Sequence, residues 1–143
     1  MTVFIGIDPG KSGSIVALCQ NVIVFSKLSE TDHDIAEFIE SIDYIDAVAT
    51  IENVHSMPSQ GVASSFTFGT SFGFLKGLLT GYKIPYKLVT PQKWQKGMQC
   101  LTKGNKNISK AAAQRLFPRI KITHANADAL LIAEYGRKFL WNV

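Results

Sequence analysis

Residues 3–7 read Val-Phe-Ile-Gly-Ile, and the run stops at Asp8-Pro9-Gly10. A strand that alternates polar and apolar residues buries one face, whereas a continuously apolar one is buried on both. This run therefore demands a sheet with a layer on each side, and helices are the usual cover. Asp8 stands where such a strand leaves the core. Asp-Pro-Gly is also ordinary turn chemistry, so Asp8 alone decides nothing.

The rest of the chain supplies the layers. Ser14–Cys19 reads as a second strand and Val22–Ser26 as a third, with tight turns between them, which predicts an antiparallel meander. Thr31–Ser41 reads as a helix, capped by Thr31 or Asp32, with Ile35, Phe38, Ile39 and Ile42 on its apolar face. Ala47–Ile51 is a fourth strand and ends at Glu52, as the first ends at Asp8. A polar loop from His55 to Gly61 leads to a helix over about 63–80, and Ile84–Val89 is a fifth strand. Thr90-Pro91 opens a short helix with proline at its first position. Ser109–Leu116 is helical, and a last helix runs from about Ala125 to Phe139. This order predicts an α/β chain: a mixed five-stranded sheet with helices on both faces, as one domain over residues 1–143.

A length of 143 residues suffices for one full-sized core. No apolar run approaches the ~20 residues that span a bilayer, and no basic-then-apolar leader opens the chain. Cys19 and Cys100 form no close-spaced metal or redox motif, so reduced thiols and a cytoplasmic location are expected.

The net charge of +4 conceals a sharper division. From Asn53 to Ala127 there is no Asp or Glu, while the same stretch carries eleven Lys and Arg residues. Nine of the eleven acids lie at or before Glu52. One lysine is usually just solvated. A whole acid-free segment is what a polyanion-binding surface needs, because each cation can displace a counterion from a phosphate.

Against that background the carboxylates acquire meaning. Asp8 and Glu52 end two strands that can be neighbours. Asp128, in Thr-His-Ala-Asn-Ala-Asp-Ala-Leu-Leu, sits near the start of the last helix, where the helix dipole favours an acid. Three carboxylates brought together repel and raise one another's pKa, so they are stable together only with cations. Oxygen ligands of this kind suit Mg²⁺, with Mn²⁺ as a substitute. Two such ions can activate a water and stabilise the leaving oxygen of a phosphodiester, with Asp8 bridging them. Singly, each acid has an ordinary explanation as a turn acid, a strand end or a first-turn helix acid. Jointly, beside the acid-free segment, they point to a nuclease.

The segments IGIDPGKSGS, IENVHSMPSQG and NADALLIAEYG, in this order and spacing, resemble the RuvC-type Holliday junction resolvases, above all the small members from phages and bacteria. The resemblance implies an RNase H-like fold, a homodimer, and Mg²⁺-dependent cutting of two symmetric strands at a four-way DNA junction, leaving 5′-phosphate and 3′-hydroxyl ends. It implies Asp8, Glu52 and Asp128 as metal ligands. One position departs from the family pattern. Three residues before the last acid, where the family carries Asp or His, this chain has Ala125. His124 is the nearest candidate, four residues before Asp128 and on the same face if both are helical. It either ligates metal, orients the attacking water, or is an ordinary exposed histidine at a helix start.

The basic segment supplies candidate DNA contacts. Gly69, Gly73 and Gly77 recur at four-residue spacing in one helix, although each interior glycine costs about 1 kcal/mol. Such a stripe lets another backbone approach, either the sheet or a partner's copy of the helix, and the resemblance places a dimer interface there. Phe68, Phe72, Leu75 and Leu79 form a second stripe that reads as core. Phe66, near the helix start, can stack on an unpaired base. Lys76, Lys93, Lys96, Lys103, Lys106 and Lys110 are candidate phosphate contacts, which position DNA without reading sequence. Trp94, between Lys93 and Lys96, reads as a packing residue. The resemblance places a lysine of the penultimate helix near the active site, which makes Lys110 the candidate for stabilising transition-state charge.

Three other classes compete. A sugar-kinase or actin-like ATPase also follows its first strand with an Asp-x-Gly turn, but needs two such domains. A less selective RNase H-fold nuclease would cut flaps or RNA hybrids. A catalytically silent module would bind branched DNA without cutting it.

Overall fold

The structure is a computed structural model, and it describes residues 1–10, 12–54 and 61–142. Three strands come first: β1 (Val3–Ile7), β2 (Ser14–Cys19) and β3 (Val22–Lys27). They are followed by α1 (Asp32–Ser41), a 3₁₀ turn at Tyr44–Asp46, β4 (Ala47–Glu52), α2 (Val62–Gly81) and β5 (Tyr86–Val89). The chain closes with α3 (Pro91–Gly97), α4 (Lys106–Leu116), α5 (Ala127–Tyr135) and a π turn at Gly136–Leu140. Most of the polar loop expected from His55 to Gly61 lies outside the described residues.

The strands form one mixed sheet in the order β3-β2-β1-β4-β5. β1–β2 and β2–β3 pair antiparallel, whereas β1–β4 and β4–β5 pair parallel. The expected meander and helices on both faces are both found. Val3, Ile5 and Ile7 turn to one side of the sheet and pack in a cluster with Ile35 and Ile39 of α1 and Leu75 and Leu79 of α2. The other face carries a second cluster, in which Val16 and Leu18 of β2 meet α3, α4 and an α5 that is buried at every residue except Asp128. Every residue of β1 is buried, as its uninterrupted apolar run requires.

Gly6 sets how closely α5 approaches the sheet. A Cβ at this position would overlap the backbone carbonyl of Ala129 and the backbone nitrogen of Ala133. Helix backbone cannot yield as a side chain does, so overpacking here is costly. Gly6→Ala is expected to lower stability by about 3 kcal/mol or more. That corresponds to a fall in Tm of about 10 °C in a thermal melt.

Several boundaries differ from the sequence expectation for local reasons. β5 begins at Tyr86 and not at Ile84. Lys83 has φ +61°, and the Ile84 N–H donates back to Leu79 O, which ends α2. Pro85 accepts from Ala49 N–H but has no N–H of its own to give. α4 starts at Lys106, three residues early, because the Asn105 side chain accepts from Asn107 N–H and caps it there. α5 starts at Ala127, two residues late. The Asn126 side chain accepts from Thr123 N–H and donates to Lys121 O, which holds 121–126 as a turn.

α2 is long and loosely held. Of its twenty residues only Leu75 and Leu79 are buried. A cleft of about 690 Å³ separates its first half from Pro9, Gly10, Leu28 and α1. Gly69, Gly73 and Gly77 face open space, so the sheet is not the backbone that their stripe accommodates. The core stripe is real only at its C-terminal end: Phe72 is partly buried against Leu75 and Leu79, and Phe68 stacks on Phe72. No helix among the described residues is long and apolar enough to cross a membrane.

Candidate active site

Parallel pairing brings the first two carboxylates together. β1 and β4 are in register up to Ile7 and Ile51. Asp8 and Glu52 are the next residues on each strand, and pleating turns both toward the α5 face. Asp128 is in the first turn of α5, the helix laid over this face. The three acids therefore share one end of the sheet.

Their electrostatics are those of crowded, poorly solvated anions. Burial pushes the Asp8 carboxyl above the usual range, the Asp128 charge raises it further, and the Gly10 backbone and Lys106 oppose this. Glu52 is only 8% exposed. Burial pushes its pKa up to about 7, with further repulsion from Asp8 and Asp128. The hydrogen bond from Trp94 and the charge of Lys106 pull in the other direction. Among the described residues no three His, Cys, Asp or Glu side chains are gathered tightly enough to enclose a single ion.

Trp94 is more than the packing residue expected. It is fully buried in α3, and its indole N–H donates to Glu52 Oε2 at 2.7 Å. A buried indole needs an acceptor, and this one fixes a site carboxylate. The signal was the indole itself, a donor among apolar neighbours, but nothing in the sequence names a partner 42 positions away. Trp94→Phe keeps an aromatic ring, though a smaller one, and removes the donor. It is expected to raise the Glu52 pKa further, measurable by carboxyl-carbon NMR titration.

The lysine whose charge acts on Asp8 and Glu52 is Lys106, at the start of α4, one turn before Lys110. Lys110 is half-buried. His124 lies in the exposed turn before α5, so it shares no helix face with Asp128, which corrects the spacing argument for it. Asn126 is buried and engaged in holding that turn. Phe66 is 75% exposed on α2. Lys76 lies over the Phe72 ring at 4.7 Å. Lys93 and Lys96 are exposed on α3, and Lys103 on the loop before α4.

Cys100 is buried close enough to Asp128 to feel its charge, and burial pushes its thiol up to about 11. It is therefore a protonated, unreactive thiol at neutral pH.

No family model matches the chain, and no curated protein matches it. Solved structures do. The structure of Thermus thermophilus RuvC in complex with Holliday junction substrate superimposes with a TM-score of 0.68, covering 97% of this chain and 97% of that one at 13% identity. A second Thermus thermophilus RuvC structure gives 0.64, covering 95% of this chain and 93% of that one at 15% identity. At such identity the likeness is one of fold, and over nearly its whole length this chain has the RNase H-like fold in the form that RuvC takes.

Proposed function

We propose that the protein is a metal-dependent endonuclease that resolves four-way DNA junctions by cutting two symmetric strands, acting as a homodimer. The observation that carries this reading is the convergence of Asp8, Glu52 and Asp128, from β1, β4 and α5, at one end of a RuvC-like sheet. The solved RuvC bound to Holliday junction substrate supports branched DNA as the substrate class.

A divalent cation fits this donor set. The site offers oxygen donors only, and the Asp8 and Glu52 carboxyls are pushed up first by burial, then Asp8 by the Asp128 charge and Glu52 by the charges of Asp8 and Asp128. Asp8, Glu52 and Asp128 would hold two such ions, with Asp8 serving both. Oxygen ligands favour Mg²⁺, with Mn²⁺ as substitute. When bound, such ions supply an activated water and stabilise the leaving oxygen, giving 5′-phosphate and 3′-hydroxyl ends. His124, in the exposed turn before α5, is proposed as a DNA contact and not as a metal ligand.

The chain's own groups do the rest. Trp94 holds the Glu52 carboxylate in one orientation through its N–H. Lys106 takes over from Lys110 as the cation that stabilises charge at the reacting phosphate, because its field reaches both Asp8 and Glu52. Lys76, Lys93, Lys96, Lys103 and Lys110 grip the flanking backbone. The exposed Phe66 ring stacks on a base at the crossover. The open glycine face of α2, at Gly69, Gly73 and Gly77, seats the partner's copy.

A labelled synthetic four-way junction incubated with Mg²⁺ or with EDTA tests the proposal. Paired nicks at symmetric positions, dependent on Mg²⁺, are expected, together with a dimer in sedimentation. Tight binding without cutting in Mg²⁺ or Mn²⁺ would mark a silent binding module. Equal cutting of flaps or RNA hybrids would mark an unselective nuclease.

A further inference from the structure

Beside the carboxylates lies a second pocket, of about 500 Å³, lined by Ser12, Gly13, Lys27, Ser29, Lys106, His124 and Ala125. No acid lines it. Two lysines, a histidine and two hydroxyls make it a container for an oxyanion. We infer that it binds a backbone phosphate of the DNA strand being cut, one or two nucleotides from the scissile one. This rests on the nuclease reading above.

Sheet register sets the position. Lys27 is the last residue of β3 and pairs directly with Ser14 of β2. Ser14 in turn stands opposite Asp8, whose N–H donates to Ser14 O at 3.0 Å. Residues directly opposite share a face, so Lys27, Ser14, Asp8 and Glu52 form one row across the sheet on its α5 side. At ~4.8 Å per strand, Lys27 is about 10 Å from Asp8. Successive phosphates of one strand are farther apart than the ~3.4 Å axial rise, so the distance from Lys27 to Asp8 spans one or two nucleotides of backbone. Lys106 belongs to both places, since it lines the pocket and its charge acts on Asp8 and Glu52.

A second observation points to a ligand here. Ser14 is completely buried, and its hydroxyl has no hydrogen-bond partner among the described residues. Thr123, next to His124, carries the other buried hydroxyl of this kind among the described residues. Buried hydroxyls are normally paired. Ser14 and Thr123 are chain neighbours of the lining residues Gly13 and His124, and each unpaired hydroxyl can bind a water that bridges to a phosphate oxygen. Lys27 lies outside the acid-free segment, and only the β2–β3 pairing delivers it to the site.

The test is a charge-deletion scan. Junctions carry a single uncharged methylphosphonate at successive positions on either side of the cut, and binding is measured with Mg²⁺ in the Asp8→Asn protein, with and without Lys27→Ala. At one position one or two nucleotides from the cut, the methylphosphonate is expected to weaken binding about fivefold with Lys27 present and to add nothing in Lys27→Ala. The slope of log Kd against log salt falls by about 1 in Lys27→Ala, and Lys27→Arg restores it. A Lys27→Ala penalty that is absent, or identical at every methylphosphonate position, overturns the pocket while leaving the nuclease reading intact. Failure of the Asp8→Asn protein itself to prefer the junction over duplex overturns both.

Discussion

Asp8→Asn is expected to slow junction cleavage roughly 10³-fold or more, the loss typical of removing a central charge-stabilising group. Junction binding in Mg²⁺ should stay within a few-fold of the wild type, because the lysines that grip the backbone are untouched. The substitution preserves shape and removes only charge, at the one acid proposed to serve both ions. It also distinguishes chemistry from folding. Burial and Asp128 hold the Asp8 carboxyl above its usual ionisation range, so its negative form is strained in the folded protein. A neutral amide relieves that strain, and in EDTA at pH 8 the variant should melt at a higher temperature than the wild type. A gel assay of nicking, a binding isotherm and a melt check the three parts. Cleavage surviving at more than about a tenth of the wild-type rate would remove Asp8 from the chemistry.

The contrast between what the sequence displays and what it hides is physical. β1 is legible because a run with no polar residue has nowhere to be except between two layers. The pairing of Asp8 with Glu52 is legible because both end apolar strands, and parallel neighbours ending together place their last residues side by side. The Trp94–Glu52 hydrogen bond is not legible, since it joins positions 42 apart through tertiary packing alone. Lys27 is invisible for the same reason: only strand register sets it beside Ser14. His124 misleads because spacing of four implies a shared face only inside a helix, and Asn126 holds a turn there instead. α2 misleads differently. The Phe68, Phe72, Leu75 and Leu79 stripe reads as core, yet only Leu75 and Leu79 are buried, because burial depends on where the helix is carried, and periodicity holds no record of that.

Glu52→Gln is expected to trade activity for stability more clearly than any other single change. In the unfolded chain this carboxyl ionises near 4.5, and in the folded protein at about 7, mainly because it is buried and faces Asp8 and Asp128. Between those values the folded state binds the extra proton. Stability of the metal-free protein therefore falls as pH rises through that window and is lowest above it. At 1.4 kcal/mol per pH unit between the two ionisation points, the cost at pH 8 is about 3 kcal/mol. Glutamine removes this cost and still accepts the Trp94 N–H through its amide oxygen. In EDTA at pH 8, Glu52→Gln should raise Tm by about 10 °C, and by little or nothing at pH 4.5. Some pH dependence should persist, because Asp8 is raised as well, and it should largely vanish in the Asp8→Asn/Glu52→Gln double variant. Mg²⁺ reverses the order. A cation that binds only the folded state stabilises by mass action, about 2.7 kcal/mol at 100 times its Kd, and the wild type gains this while the variant, missing a ligand, gains less. Melts at pH 4.5 and 8, with Mg²⁺ and with EDTA, read both effects from the same protein. A pH-independent gap between wild type and Glu52→Gln would show that the crowding of these carboxylates is not what strains the site, and the electrostatic case for a bound cation would fall with it.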